Sequence, residues 1–181
     1  MKKCLALLLS LFSLTALTQA QKVIIGGAEG ARPLVWTDFT GAADATSPYH
    51  ANTKWNLRYQ TGTVQFRGDS TLMPDFAITL ELSGDGSWVK KGKETAELLR
   101  HEQGHFDLGR ICMAELLAAV KKLTLTPDNF KPSMQGLFQR TMARYHEMGT
   151  RYDAETVHGT NKEAQEKWNG FLAEQLLKWS Q

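Results

Sequence analysis

The chain has 181 residues, 21 of them lysine or arginine against 19 aspartate or glutamate, with 42% hydrophobic residues. That length suits one domain with a sizeable core, and the near-balance of charge gives no electrostatic footprint for nucleic acid or an anionic membrane surface. Cys4 and Cys112 are the two cysteines, too few for a disulfide framework.

Residues 1–20 have the layout of a secretory signal: basic Lys2 and Lys3, an apolar stretch from Leu5 to Leu17, then Thr18-Gln19-Ala20 with small side chains at the cleavage point. The apolar stretch is shorter than the roughly 20 residues needed to cross a bilayer, and no later segment approaches that length. These features predict a periplasmic or secreted protein with one domain over 21–181 and no membrane span once the signal is removed. Cys4 leaves with the signal, so Cys112 has no intrachain disulfide partner. Lys2 and Lys3 account for the formal net charge of +2.

The stretch from Gln21 to Arg32 is compatible with a strand or a loose leader. Beyond it, alternation of apolar and polar side chains predicts half-buried strands over Leu34–Phe39, Trp55–Gln60 and Phe76–Leu82, with a shorter one around Val64 and Phe66. Glycines near 62, 68 and 84–86 supply the breaks. The Phe76–Leu82 strand, just upstream of the main helix, is the candidate sheet edge for adding an extended peptide. After Trp88 the period becomes helical. Lys93 to Leu123 places Leu98, His101, His105, Leu108, Cys112 and Leu116 along one flank. Thr126-Pro127-Asp128 reads as a turn or helix start, followed by a helix from Ser133 to about Tyr152. Thr160 and Glu163 have capping-box spacing and open a final helix that turns Trp168, Phe171, Leu172 and Leu176 inward. The expected fold class is α+β: a small, mostly antiparallel sheet, then a long helix and two further helices.

Within the long helix, His101-Glu102-Gln103-Gly104-His105 is an HExxH motif. Residues four apart stand about 40° apart around a helix axis and roughly 6 Å along it, so both imidazoles can face one point. A zinc ion accepts neutral imidazole nitrogen at about 2.0–2.1 Å and, in catalytic sites, keeps one position for water. Glu102 is the candidate general base that takes a proton from that water as it attacks a carbonyl. Gly104 costs about 1 kcal/mol relative to alanine inside a helix, which points to close approach of another backbone or of substrate beside His105, or equally to tight helix-on-sheet packing. Cys112 is about 10 Å of helix rise beyond His105 and reads as a small buried residue.

Two histidines leave a zinc site one protein donor short. His158, in a loop before Gly159, is the first candidate; Glu155, Asp153 and His146 are the alternatives. Tyr152 and Tyr145 are candidates for stabilising an oxyanion, and Asp107 and Asp153 for orienting an imidazole through its other nitrogen. Against these, a tyrosine on a helix flank is ordinarily core, and an exposed aspartate is ordinarily solvated.

Several segments taken together carry a family likeness: Val35-Trp36-Thr37-Asp38-Phe39-Thr40-Gly41, Ala51-Asn52-Thr53, Ser87-Trp88-Val89, the Leu98–Asp107 run with HExxH, and the closing Tyr152-Asp153, Thr156 and His158-Gly159 with Gln165 and Trp168. In this order they resemble a family of small bacterial proteins described as predicted secreted zinc-dependent proteases, otherwise classed as a domain of unknown function. The resemblance implies a zincin-like fold, one Zn2+ on His101 and His105, Glu102 as base, and His158 as the third ligand because it falls in the closing motif. The resulting expectation is an exported zinc-dependent metallopeptidase acting on a peptide or protein substrate. Two alternatives remain open: a non-catalytic periplasmic zinc-containing module that binds peptide or protein, and a zinc amidase acting on cell-wall peptide.

Overall fold

The computed structural model describes residues 20–68 and 70–179. The signal-sequence expectation falls almost wholly on residues outside that range. The strands are β1 (Ala20–Ile25), β2 (Ala28–Glu29), β3 (Ala51–Asn52), β4 (Trp55–Gln60), β5 (Gln65–Arg67), β6 (Ser70–Leu72), β7 (Ala77–Leu82) and β8 (Trp88–Val89). Three helices follow: α1 (Ala96–Val120), α2 (Phe130–Thr156) and α3 (Lys162–Lys178). The architecture is α+β.

The main sheet has the order β2-β1-β7-β4, with small β3-β8 and β5-β6 ladders beside it. It is mixed: β1 runs parallel to β7, while β2 and β4 are antiparallel to their neighbours. The segment from Gln21 is thus a strand in the sheet interior, not a leader. The period of two holds where it was strongest. Ile78, Leu80 and Leu82 on β7 and Leu57 on β4 face the core, with the intervening side chains more exposed.

Helix α1 packs against β1, β3, β4 and β7 and against both other helices. Its buried residues, from His101 through Phe106, Leu108, Ile111 and Met113 to Val120, cover more than one stripe, as a helix enclosed by neighbours requires. Thr95 caps it by accepting from the Leu98 N–H at 3.2 Å. No helix among the described residues is long and apolar enough to cross a membrane.

Four sequence expectations are corrected. Leu34–Phe39 is not a strand but a loop with a 3-10 turn at Trp36–Asp38. Side chains take over the bonding a ladder would supply: Asp38 accepts from the Val35 N–H at 2.9 Å and from the Arg32 guanidinium at 2.6 and 2.7 Å, and Gln103 Oε1 accepts from the Leu34 N–H at 2.7 Å. β7 is an inner strand, flanked by β1 and β4, so it has no free edge for a peptide. The cap of α3 is Asn161, whose side chain accepts from Ala164 N–H at 3.2 Å; the Thr160 hydroxyl instead donates to the Val157 carbonyl. Finally, Trp168 and Leu172 point inward from α3, but Phe171 is 37% exposed.

Candidate metal centre

Three segments build one cleft of about 730 Å³. α1 forms its floor with Leu98, His101, Glu102, His105 and Leu108, a stripe set by the helical period. α2 runs antiparallel along one wall through Tyr145, Gly149 and Asp153, and the stretch from Pro48 to Trp55 forms the opposite wall.

At the centre, Asp153 Oδ1 lies 3.1 Å from His101 Nε2, 2.9 Å from His105 Nε2 and 3.3 Å from His158 Nδ1. Donor atoms of His101, Asp153 and His158 all fall within 4.8 Å of one another, and His105 reaches the group through the same carboxylate oxygen. Burial alone raises the Asp153 pKa, but hydrogen bonds and charge from His101 and His105 outweigh it and hold the carboxylate far below its usual range. Burial lowers the His105 pKa, yet Asp153 and the charge of Glu102 leave it raised. His101, Asp153 and His158 could hold a metal ion, and imidazole nitrogen with carboxylate oxygen is a donor chemistry that divalent first-row ions accept.

The corner that delivers His158 is unusual. α2 ends with Val157 in the left-handed region (φ 49°, ψ 53°), His158 follows at φ 50°, and Gly159 at φ 82°. A β-branched residue there is a true outlier, costing about 1–2 kcal/mol. The turn holds because the His158 N–H donates to the Asp153 carbonyl at 3.0 Å and the Asn161 N–H to Thr156 O at 2.8 Å. Gly159 also lacks room for a side chain, since a Cβ would stand 3.0 Å from that of His101.

Glu102 is 3% exposed and accepts from the Thr53 hydroxyl through Oε2 at 2.7 Å. Its Oε1 has no hydrogen-bond partner among the described residues. Tyr152 departs from its expected role. It is fully buried, does not line the cleft, and its hydroxyl is committed: it donates to the His101 carbonyl at 3.0 Å and accepts from Gln165 Nε2 at 2.8 Å. The ring stacks on His101 with centroids 4.6 Å apart, and a Cβ on Gly104 would collide with the hydroxyl. Close approach of α2 is therefore the reason for glycine within HExxH.

Of the other candidates, Glu155 is drawn away to the Trp168 indole N–H at 2.7 Å, and His146 lines the cleft farther along α2 without joining the cluster. Tyr145 donates to Glu115 Oε2 at 2.6 Å, and Asp107 accepts from Gln103 and Arg110 instead of orienting a histidine. Three contributors carried no role in the sequence reading. Tyr49 packs against His158 with tilted rings whose centroids are 4.0 Å apart, Thr53 holds Glu102, and Gln165 reaches His101 Nδ1 at 3.0 Å. For Gln165 a signal existed: an amide shares the buried stripe of Trp168 and Leu172 on α3.

The chain belongs to the family described as bacterial protein of unknown function (DUF922), whose model matches residues 36–159. No curated protein and no solved structure matches it.

Proposed function

We propose that this member of the DUF922 family is an exported metallopeptidase of zincin-like fold, with one divalent ion, preferentially zinc, held by His101, His105 and His158. The observation that carries this reading is that nitrogens of three imidazoles approach one oxygen of Asp153, in an open cleft that Glu102 also lines. When bound, the ion supplies a Lewis acid that polarises a substrate carbonyl. Glu102 takes a proton from the attacking water on Oε1 and delivers it to the leaving amine, while Thr53 keeps Oε2 occupied. Export rests on the character of residues 1–20 alone.

A polypeptide substrate is favoured by the wall opposite α2. In the β3-β8 ladder Ala51 faces Val89 and Asn52 faces Trp88, and Lys90 N–H donates to His50 O at 2.8 Å. Alternation of antiparallel bonding then turns the Ala51 N–H and C=O away from β8, toward the cleft that Ala51 lines. This edge replaces β7 as the place where an extended peptide can add.

A second reading also has an observation in its favour. Asp153 is near enough to serve as a fourth protein donor, and structural zinc sites are closed by four such donors. The protein would then be a non-catalytic peptide-binding module. Peptide-library cleavage by the zinc-loaded protein and by Glu102→Gln separates the two. The metallopeptidase reading expects cleavage by the first and loss of about a hundredfold or more in the second, with zinc retained in both. Undiminished cleavage by Glu102→Gln contradicts it, and binding without cleavage by either favours the module.

A further inference from the structure

We infer that Gln165, on α3 and outside the matched residues 36–159, is a positioning residue that fixes the proton of His101 on Nδ1 and leaves the Nε2 lone pair facing the cleft. Its relevance to metal binding rests on the proposed role of His101 as a donor.

The assignment follows from a relay that starts at an acceptor-only group. The Glu166 carboxylate, paired with Arg100 at 2.8 Å, accepts from Asn169 Nδ2 at 3.3 Å. Asn169 must then present its carbonyl oxygen to Gln165, whose Nε2 donates to it at 2.8 Å. The second hydrogen of that Nε2 goes to the Tyr152 hydroxyl at 2.8 Å, so both of its donors are used. The atom left facing His101 Nδ1, 3.0 Å away, is the acceptor Oε1, and Nδ1 must carry the hydrogen.

Flipping Gln165 would set its oxygen against Asn169 Oδ1, two acceptors in a site where Gln165 is only 2% exposed. With Nδ1 protonated, a neutral His101 directs a lone pair from Nε2 at the anionic Asp153 oxygen 3.1 Å away. Two acceptors at that separation call for a cation or a proton between them. Gln165 grips the same histidine a second time, since the Tyr152 hydroxyl it donates to is itself bonded to the His101 carbonyl. Partners of this kind behind a ligating imidazole commonly control metal affinity.

The test uses the purified protein. Long-range nitrogen–proton spectra of its metal-free form at alkaline pH report which His101 nitrogen holds the hydrogen, and competition with a chromophoric chelator gives the zinc affinity. The wild type should show Nδ1–H. Gln165→Leu should mix the tautomers and weaken zinc binding about ten- to a hundredfold. Gln165→Glu, which restores an acceptor to Nδ1–H, should bind zinc at least as tightly as wild type even if its melting temperature falls. A purely structural role predicts lower melting temperatures in both variants with unchanged zinc affinity, and that result, or an Nε2–H wild type, overturns the inference. A wild type with Nδ1–H that binds no zinc leaves the tautomer assignment standing and removes the metal reading instead.

Discussion

The two halves of the site are built in opposite ways. On α1, Leu98, His101, Glu102, His105 and Leu108 hold their places through ordinary helical geometry, inside a helix enclosed by the sheet and two neighbours. At the corner from Asp153 to Asn161, His158 arrives through two successive left-handed residues and a glycine, pinned by local hydrogen bonds. The helical half draws its precision from packing. The corner gains reach at the cost of backbone strain, a combination that recurs at ligand clamps.

The contrast can be broken first at the donors. His101→Ala should weaken zinc binding by more than the roughly hundredfold controlled by partners behind a ligand. His158→Ala, whose side chain is 37% exposed, should weaken it less. Chelator competition ranks them, and equal losses would erase the distinction.

Next in size is packing against α1. Gly104→Ala must displace Tyr152, and overfilling of this kind typically costs about 1–3 kcal/mol in urea melts. An unchanged midpoint would mean that α2 yields freely.

A smaller effect is the pH response of the metal-free protein. The depressed Asp153 pKa contributes stability that is complete above its unfolded value, about 4, and is lost as pH falls through the folded value. The raised His105 pKa contributes stability that is complete below about 6.5 and is lost as pH rises through its folded value. Together they favour the window between about pH 4 and 6.5. Asp153→Asn should lower stability within that window and lessen the fall on both sides of it, as followed by denaturant midpoints across pH. Zinc binding should run the other way and strengthen with rising pH, because imidazole must be neutral to ligate.

The smallest change is at the corner itself. Val157→Gly removes the β-branched outlier and should raise stability by about 1 kcal/mol, visible as a higher melting temperature. A decrease would show that Val157 is not strained at this corner.

The same contrast governs what could be read from the amino acids. The extents of α1 and of β4 and β7 follow from apolar periodicity, and HExxH stands on one face because helix geometry is local. The corner was legible only as composition: His158 and Asp153 were competing candidates, and nothing in the spacing tells that one carboxylate oxygen meets three imidazoles. The role of Tyr152 is not legible in the amino acids, because its hydroxyl partner is a backbone carbonyl on another helix, which side-chain chemistry does not announce. Leu34–Phe39 has the period of a strand, but Arg32, Asp38 and Gln103 satisfy its backbone groups from outside any sheet. Thr160 lost the cap to its neighbour Asn161 by a single residue, the ordinary uncertainty of a helix end.

The proposed metal centre requires that His101, His105 and His158 surround a single cation. Metal analysis of the purified protein, loaded with zinc and freed of excess, tests it most directly. One zinc per chain is expected, lost or sharply reduced in His101→Ala while the protein stays folded. Wild-type protein that retains no metal, or a zinc content untouched by His101→Ala, would contradict it.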